Sequence, residues 1–179
     1  MIRKIGVVGA AMLLFVSAPT LAHDTALNDA QIAHVAYTAG QIDVDAARQA
    51  LERSRNARVR AFAETLVRDH AAVNQQALAL VQRLHVTPEA NATSAALTTQ
   101  AAEAHRRLGA LSGAAFDQAY VENEVAYHRA VNEALRGTLI PGAHNAELKS
   151  LLEAGLTLFS AHQEHAEQLG QQLRAPARR

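Results

Sequence analysis

The chain has 179 residues, and its 17 basic and 17 acidic side chains give it a net charge of zero. This balance provides no attraction to nucleic acid or to an anionic surface. The absence of cysteine excludes disulfides and thiolate metal sites. With few aromatic residues and many helix formers, the composition favours a single domain of the all-α class.

The first 22 residues have the pattern of an export signal. Basic residues near the start precede an apolar run, 5–16, that is too short for a comfortable membrane span. Thr20 and Ala22 then occupy the small-residue positions of a cleavage site. We predict cleavage after Ala22, which leaves a periplasmic or secreted domain over 23–173 without a membrane span. The alternative is that 1–22 is retained as an anchor, which also places the domain outside the cytoplasm.

Five segments with helical periodicity follow, and none of the chain has a convincing strand pattern. We predict helices over 28–54, 57–85, 97–111, 114–136 and 146–173. The intervening segments, among them 85–94 and 137–145, contain proline, glycine and polar clusters that end helices. The last residues, 174–179, are predicted to form a disordered tail.

Each predicted helix has one apolar stripe and therefore has to bury it against the other helices. Four long helices with fairly short connections predict a four-helix bundle. The short third helix is expected to lie across one end of that bundle.

Ionisable side chains interrupt these apolar stripes at helical spacing. They are Asp43 in the first helix, His70 in the second, Glu124 and His128 in the fourth, and His162 in the fifth. Burying a charge or an unpaired imidazole costs several kcal/mol unless it finds a partner. Because the four stripes face one another, we expect these side chains to meet in the core.

Three imidazoles and a carboxylate suit zinc, copper(II), iron or manganese. We therefore predict one divalent metal ion bound by His70, His128, His162 and Asp43. Glu124 and Asn74 are expected to orient these ligands or to add oxygen ligands. The alternative is a buried network of histidines and carboxylates that fixes helix register without an ion. Periodicity places the side chains on core faces but not at one height in the bundle.

The other histidines are interpreted differently. His165 falls near the buried side of the fifth helix, whereas four more are expected to be solvated: His34, His85, His105 and His144.

Two kinds of catalysis find little support in the sequence. No histidine follows a glutamate by three residues, as di-iron bundles require. No serine lies in a Gly-x-Ser-x-Gly setting. We assign no catalytic residue, although an oxidoreductase that uses a bound metal remains a third hypothesis. It would require an open coordination position and a substrate pocket.

Three stretches resemble the DUF4142 family: FAETLVRDHAAVNQQ, LGALSGAAFDQAYVENEVAYHRAV and HQEHAEQL. The family comprises exported bacterial proteins of unknown function in the ferritin-like superfamily. The resemblance covers about 28–173, and its most specific parts are the run from Leu111 to Tyr120 and the adjacent pair of Asp69 and His70. It implies a ferritin-like four-helix bundle.

The resemblance also bears on the predicted site. His70, His128 and His162 match histidines of the family pattern. Asp43 stands where members usually carry glutamate. Thr157 stands where a proline often precedes the last family histidine.

Overall fold

The structure, a computed structural model, describes residues 26–175, of which 86% are helical. Its helices are α1 (Asp29–Arg53), α2 (Ala57–Arg83), α3 (Ala92–Gly109), α4 (Gly113–Ala134), a π-helical turn (Leu135–Leu139), α5 (Ile140–Gly142) and α6 (Ala146–Arg174). The predicted all-α class is confirmed. None of these helices is long and apolar enough to cross a membrane. The predicted signal, 1–22, lies outside the described residues, and Arg174, which was assigned to the tail, ends α6.

Helix starts are fixed by short polar side chains. Asn28 accepts a hydrogen bond from the backbone N–H of Gln31, whose side chain accepts one from the backbone of Asn28. Asn91 and Ser94 form the same capping box at the start of α3. Such caps satisfy N–H groups that have no partner within the helix. The prediction that 85–94 is entirely a connection is therefore wrong at its end, because Asn91 already caps a helix.

The third helix runs along the bundle instead of across one end. Its N-terminal side is tied to α1 where Asn91 Nδ2 donates to the carbonyl of Gln31 at 3.3 Å. Further along both helices, Gln49 Nε2 donates to the carbonyl of His105 at 3.0 Å. Residue numbers thus increase in the same direction along α1 and α3, so the two helices are parallel. It is the long crossover that joins two helices of the same direction, α2 and α4, as in one-crossover ferritin-like bundles.

The segment 137–145 is not wholly a connection either. The fourth helix continues through the π-helical turn and α5 to Gly142. Leu135 and Leu139 hold this segment in place because both are buried. Pro141 has no backbone N–H, so it cannot make the α-helical hydrogen bond to the carbonyl of Gly137. The π-helical turn therefore lies next to a position where the α-helical hydrogen-bond pattern is interrupted.

The bundle of α1, α2, α4 and α6 contains two apolar cores. The upper core lies towards the α1–α2 turn and comprises Ala47, Ala50, Val59, Phe62, Ala63, Leu66, Leu108, Phe116, Tyr120, Val121, Ala166 and Leu169. The lower core lies towards the start of α1 and comprises Ile32, Ala33, Val35, Leu80, Val81, Leu135, Leu139, Ala143, Leu148, Leu152 and Phe159. Between them lies a layer of buried polar side chains.

Candidate metal centre

The polar layer contains all five side chains that the sequence placed on apolar stripes. Asp43, His70, Glu124, His128 and His162 are each 3% exposed or less. They come from α1, α2, α4 and α6, so every helix of the bundle contributes. The structure therefore brings the predicted site residues to one height, which periodicity alone did not determine.

Asp43 is the carboxylate that contacts two of the imidazoles. Its Oδ2 lies 2.7 Å from Nε2 of His70 and 3.2 Å from Nε2 of His128. Neither contact has the alignment of a hydrogen bond, and both Asp43 oxygens lack a hydrogen-bond partner among the described residues. One oxygen placed between two ring nitrogens without a well-aligned proton is an arrangement that a cation would complete.

His128 is held from behind by its own helix. Its Nδ1 donates a hydrogen bond to the carbonyl of Glu124, one turn earlier, at 3.0 Å. A neutral imidazole with its proton on Nδ1 presents a lone pair at Nε2. That Nε2 is buried next to Asp43, so the ring is oriented as a ligand whose second nitrogen is anchored.

His162 is oriented by a residue that the sequence analysis did not include in the site. Its Nε2 donates to Oδ2 of Asp69 at 2.9 Å, and Nε of Arg68 donates to the other oxygen of that carboxylate at 2.8 Å. Nδ1 of His162 is buried and has no partner in the described part of the chain. Asp69 lies beside the apolar stripe, not on it. The adjacent Asp-His pair was its only signal in the sequence.

His70 stands at the centre of the three imidazoles. Its ring stacks on Phe159 with 4.4 Å between centroids and an interplanar angle of 6°. The centroids of the three histidine rings are 5.2 to 5.6 Å apart. One nitrogen from each of His70, His128 and His162 lies within 4.8 Å of the others. Two nitrogens bound to one zinc ion are at most about 4.2 Å apart, so small side-chain rotations would bring them into range.

Asp43, Glu124 and His128 form a second set of potential ligand atoms within 4.8 Å of one another. Burial raises the pKa of the Asp43 carboxyl, but the neighbouring His70 and His128 outweigh this effect and hold it below its usual value. Burial and the negative charge of Asp43 raise the pKa of Glu124 well above its usual value. Asp43 therefore carries the negative charge of this pair, while Glu124 favours its neutral form.

The pKa of His162 is also shifted. Burial lowers it, and the hydrogen bond to Asp69 offsets this effect only in part. The neutral imidazole is consequently favoured, and this is the form that binds metal ions.

The remaining predicted positions lie at varying distances from the layer. Asn74, one turn after His70, is buried, and its Nδ2 has no partner among the described residues. His165 is exposed, contrary to expectation, with its ring edge 4.9 Å from the centroid of Phe62. Of the histidines expected to be solvated, His34 is half-buried, and the other three are exposed: His85, His105 and His144.

The model of the family described as "Domain of unknown function (DUF4142)" matches residues 16–169. The chain belongs to the DUF4142 family. The resemblance noted in the sequence is thus confirmed over most of the chain. No significant match was found among curated proteins.

One solved structure resembles this DUF4142 protein in fold. It is the crystal structure of a DUF305 protein from Streptomyces coelicolor, described as secreted, with a TM-score of 0.67 and 12% sequence identity. The match covers 83% of this chain and 95% of the other. Both have the ferritin-like type of fold. At this identity the likeness concerns architecture alone.

Proposed function

We propose that this DUF4142 protein is an exported bundle that binds one divalent metal ion, without assigned catalysis. His70, His128, His162 and Asp43 would be the ligands, and Glu124 would lie beside them as a further oxygen donor. The observation that carries the proposal is the orientation of two imidazoles. His128 and His162 each use one nitrogen for an anchoring hydrogen bond and turn the other inwards, where it has no partner among the described residues.

The chemistry of the donor set supports a borderline transition metal. Imidazole nitrogens with one carboxylate suit zinc and copper(II), and they also occur with iron and manganese. Orientation of a ligand histidine by a carboxylate is a recurrent feature of such sites. The Asp69–His162 hydrogen bond has this form.

The alternative function is that of a structural or interaction module of the envelope. The specific observation in its favour is the 2.7 Å approach of Asp43 to His70. Interaction with the neighbouring imidazoles offsets part of the free-energy cost of burying an ionised carboxylate, and this needs no metal ion. Metal dependence decides between the two hypotheses.

The test is thermal unfolding of metal-free protein with and without zinc or copper(II). A ligand present at 100 times its Kd that binds only the folded state adds about 2.7 kcal/mol to the free energy of unfolding. We expect this increment in the wild type and in His85→Ala, whose side chain is exposed. It should vanish in His70→Ala and His128→Ala. Each variant is compared with itself, with and without metal, so the effect of the substitution on the stability of the metal-free protein cancels.

Asp69→Asn provides a more specific test of orientation. Loss of such a partner typically weakens metal affinity by about 10- to 100-fold. Asp45→Asn is the matched control, since Asp45 is an exposed acid on α1. Absence of any zinc or copper increment in the wild type would favour the metal-free network. Metal analysis of untagged protein from the periplasm would identify the ion.

The export half of the proposal has its own test. The DUF305 protein of similar fold is described as secreted, which supports it. Mass spectrometry of the native protein should give a chain that begins at His23. A chain that retains Met1 would contradict cleavage.

A further inference from the structure

A cavity of about 890 Å³ adjoins the polar layer and extends between α3 and the four helices of the bundle. Small side chains form much of its wall: Ala36, Ala39 and Gly40 on α1, and Ala101 and Ala104 on α3. Leucines of the lower core complete it. This volume lies within the range of pockets that hold small molecules, roughly 300 to 1,000 Å³.

The crossover helix closes the cavity without filling it. Only Ser94 and Leu108, near its two ends, are buried on α3. Leu97, Ala101 and Ala104, which form the apolar stripe between them, are only half-buried. The segment between the two buried points, about 14 residues or roughly 21 Å of helix, thus covers the cavity with side chains that are half-buried or exposed.

Hydrogen bonds hold α3 in this position at both ends. Asn91 bonds to the carbonyl of Gln31 at one end, as described above. At the other end, Nη2 of Arg53 donates to the carbonyls of Gly109, at 2.6 Å, and Leu111, at 2.8 Å. A partner helix or extended peptide would have to break these bonds to enter. The cavity is therefore suited to a small molecule and not to a second chain.

The inner end of the cavity carries unpartnered polar atoms. Asn74 is 6% exposed and lines the cavity, and its Nδ2 has no hydrogen-bond partner in the described part of the chain. Both carboxyl oxygens of Glu124, another lining residue, are also buried without a partner. An apolar space with donor and acceptor atoms at one end has the character of a ligand pocket.

We infer that this cavity binds a small neutral molecule with an apolar body and a hydroxyl group at one end. The apolar walls disfavour a charged body. A hydroxyl both accepts and donates, so it matches the amide of Asn74 and the carboxyl of Glu124. The cavity shares Glu124 with the proposed metal centre, so the test below uses metal-free protein.

The test uses 2-naphthol as the probe and metal-free wild-type protein, with binding followed by the fluorescence of the probe. We expect saturable binding of one molecule per chain. Naphthalene, which lacks the hydroxyl, should bind at least about 2-fold more weakly because the hydrogen bonds of the hydroxyl are lost.

Ala101→Trp, which places an indole in the cavity, should weaken 2-naphthol binding at least about 10-fold. Ala96→Trp is the control, because Ala96 is exposed on the same helix and does not line the cavity. Ala104→Leu fills less space and serves if the first variant does not fold, as judged by circular dichroism. Absence of saturable binding to the wild type, or equal affinity in the filled and control variants, would overturn the inference. Because no metal is present, neither result bears on the metal proposal.

Discussion

The upper and lower cores contain similar residues but are packed to different degrees. Every member of the upper core is at most 2% exposed, whereas Val81 and Phe159 of the lower core are 8% exposed. Leu108 of α3 belongs to the upper core, but Leu97 on the same helix is only half-buried beside the lower core. The crossover helix therefore packs closely at Leu108 and leaves the cavity along most of its remaining length.

Aromatic residues show the same difference. In the upper core, Phe116 and Tyr120 stack on each other with ring centroids 6.0 Å apart. In the lower core, Phe159 stacks on His70 of the polar layer. The upper half thus uses its rings for its own packing, whereas the lower half uses its ring to orient a candidate ligand. Regions that carry binding sites are commonly among the less stable parts of a fold.

The largest expected effect comes from removing one leucine from each half. Leu66→Ala in the upper core should lower the free energy of unfolding by about 4 kcal/mol, since such changes in closely packed sites cost about 2 to 5 kcal/mol. Leu152→Ala should cost about 2 kcal/mol, because Leu152 lines the existing cavity and loses fewer packing contacts. Urea unfolding of both variants measures the difference. Equal costs would show that the two cores are packed alike.

The helices, and the ionisable side chains that meet in the polar layer, could largely be predicted from the sequence. The first helix, predicted over 28–54, is Asp29–Arg53, and the last, predicted over 146–173, is Ala146–Arg174. Apolar periodicity and asparagine caps are local signals, so they can be recognised in the sequence without knowledge of the fold. Asp43, His70 and His162 were placed on core faces by the same periodicity, and the cost of burying them singly predicted that they meet.

Features that depend on the third dimension were missed. Asp69 lies off the apolar stripe and is recognisable only once His162, 93 residues away in sequence, is seen beside it. The course of α3 depends on Asn91, Gln49 and Arg53, whose side chains donate to backbone carbonyls and leave no pattern in the sequence. The exposure of His165 shows that a position beside a stripe does not decide burial.

A middle-sized effect is expected where α1 and α2 approach each other, at the border of the polar layer. A Cβ atom added at Gly40 would overlap Oδ1 of Asn74 and lie 3.0 Å from its Cγ. Gly40→Ala should therefore lower the free energy of unfolding by about 1 to 3 kcal/mol, the usual range for overpacking. Thermal or urea unfolding measures this cost.

The Asn74→Ala background is the control for that substitution. It removes the overlapping atoms, and alanine is the better helix former by about 0.5 to 1 kcal/mol. Gly40→Ala should thus become neutral or stabilising there, so the double-mutant cycle should show coupling. Additive costs would mean that another contact, and not Asn74, requires the glycine.

The smallest expected effect compares the helix starts at the two ends of the bundle. Oδ1 of Asn145, at the lower end, accepts hydrogen bonds from the backbone N–H groups of Glu147 and Leu148, both at 3.0 Å. Ser112, at the upper end, begins α4 without a side-chain cap bond. Asn145→Ala should therefore lower the free energy of unfolding by about 1 kcal/mol. Ser112→Ala should change it by less than about 0.5 kcal/mol, as expected for a surface substitution that removes no cap. Chemical denaturation of the pair provides the measurement. If Ser112→Ala proved as costly as Asn145→Ala, the loss of cap hydrogen bonds would not explain the cost of Asn145→Ala. A cost confined to Asn145→Ala would show that the two hydrogen bonds of this asparagine, and not merely a polar residue at a helix start, stabilise the fold.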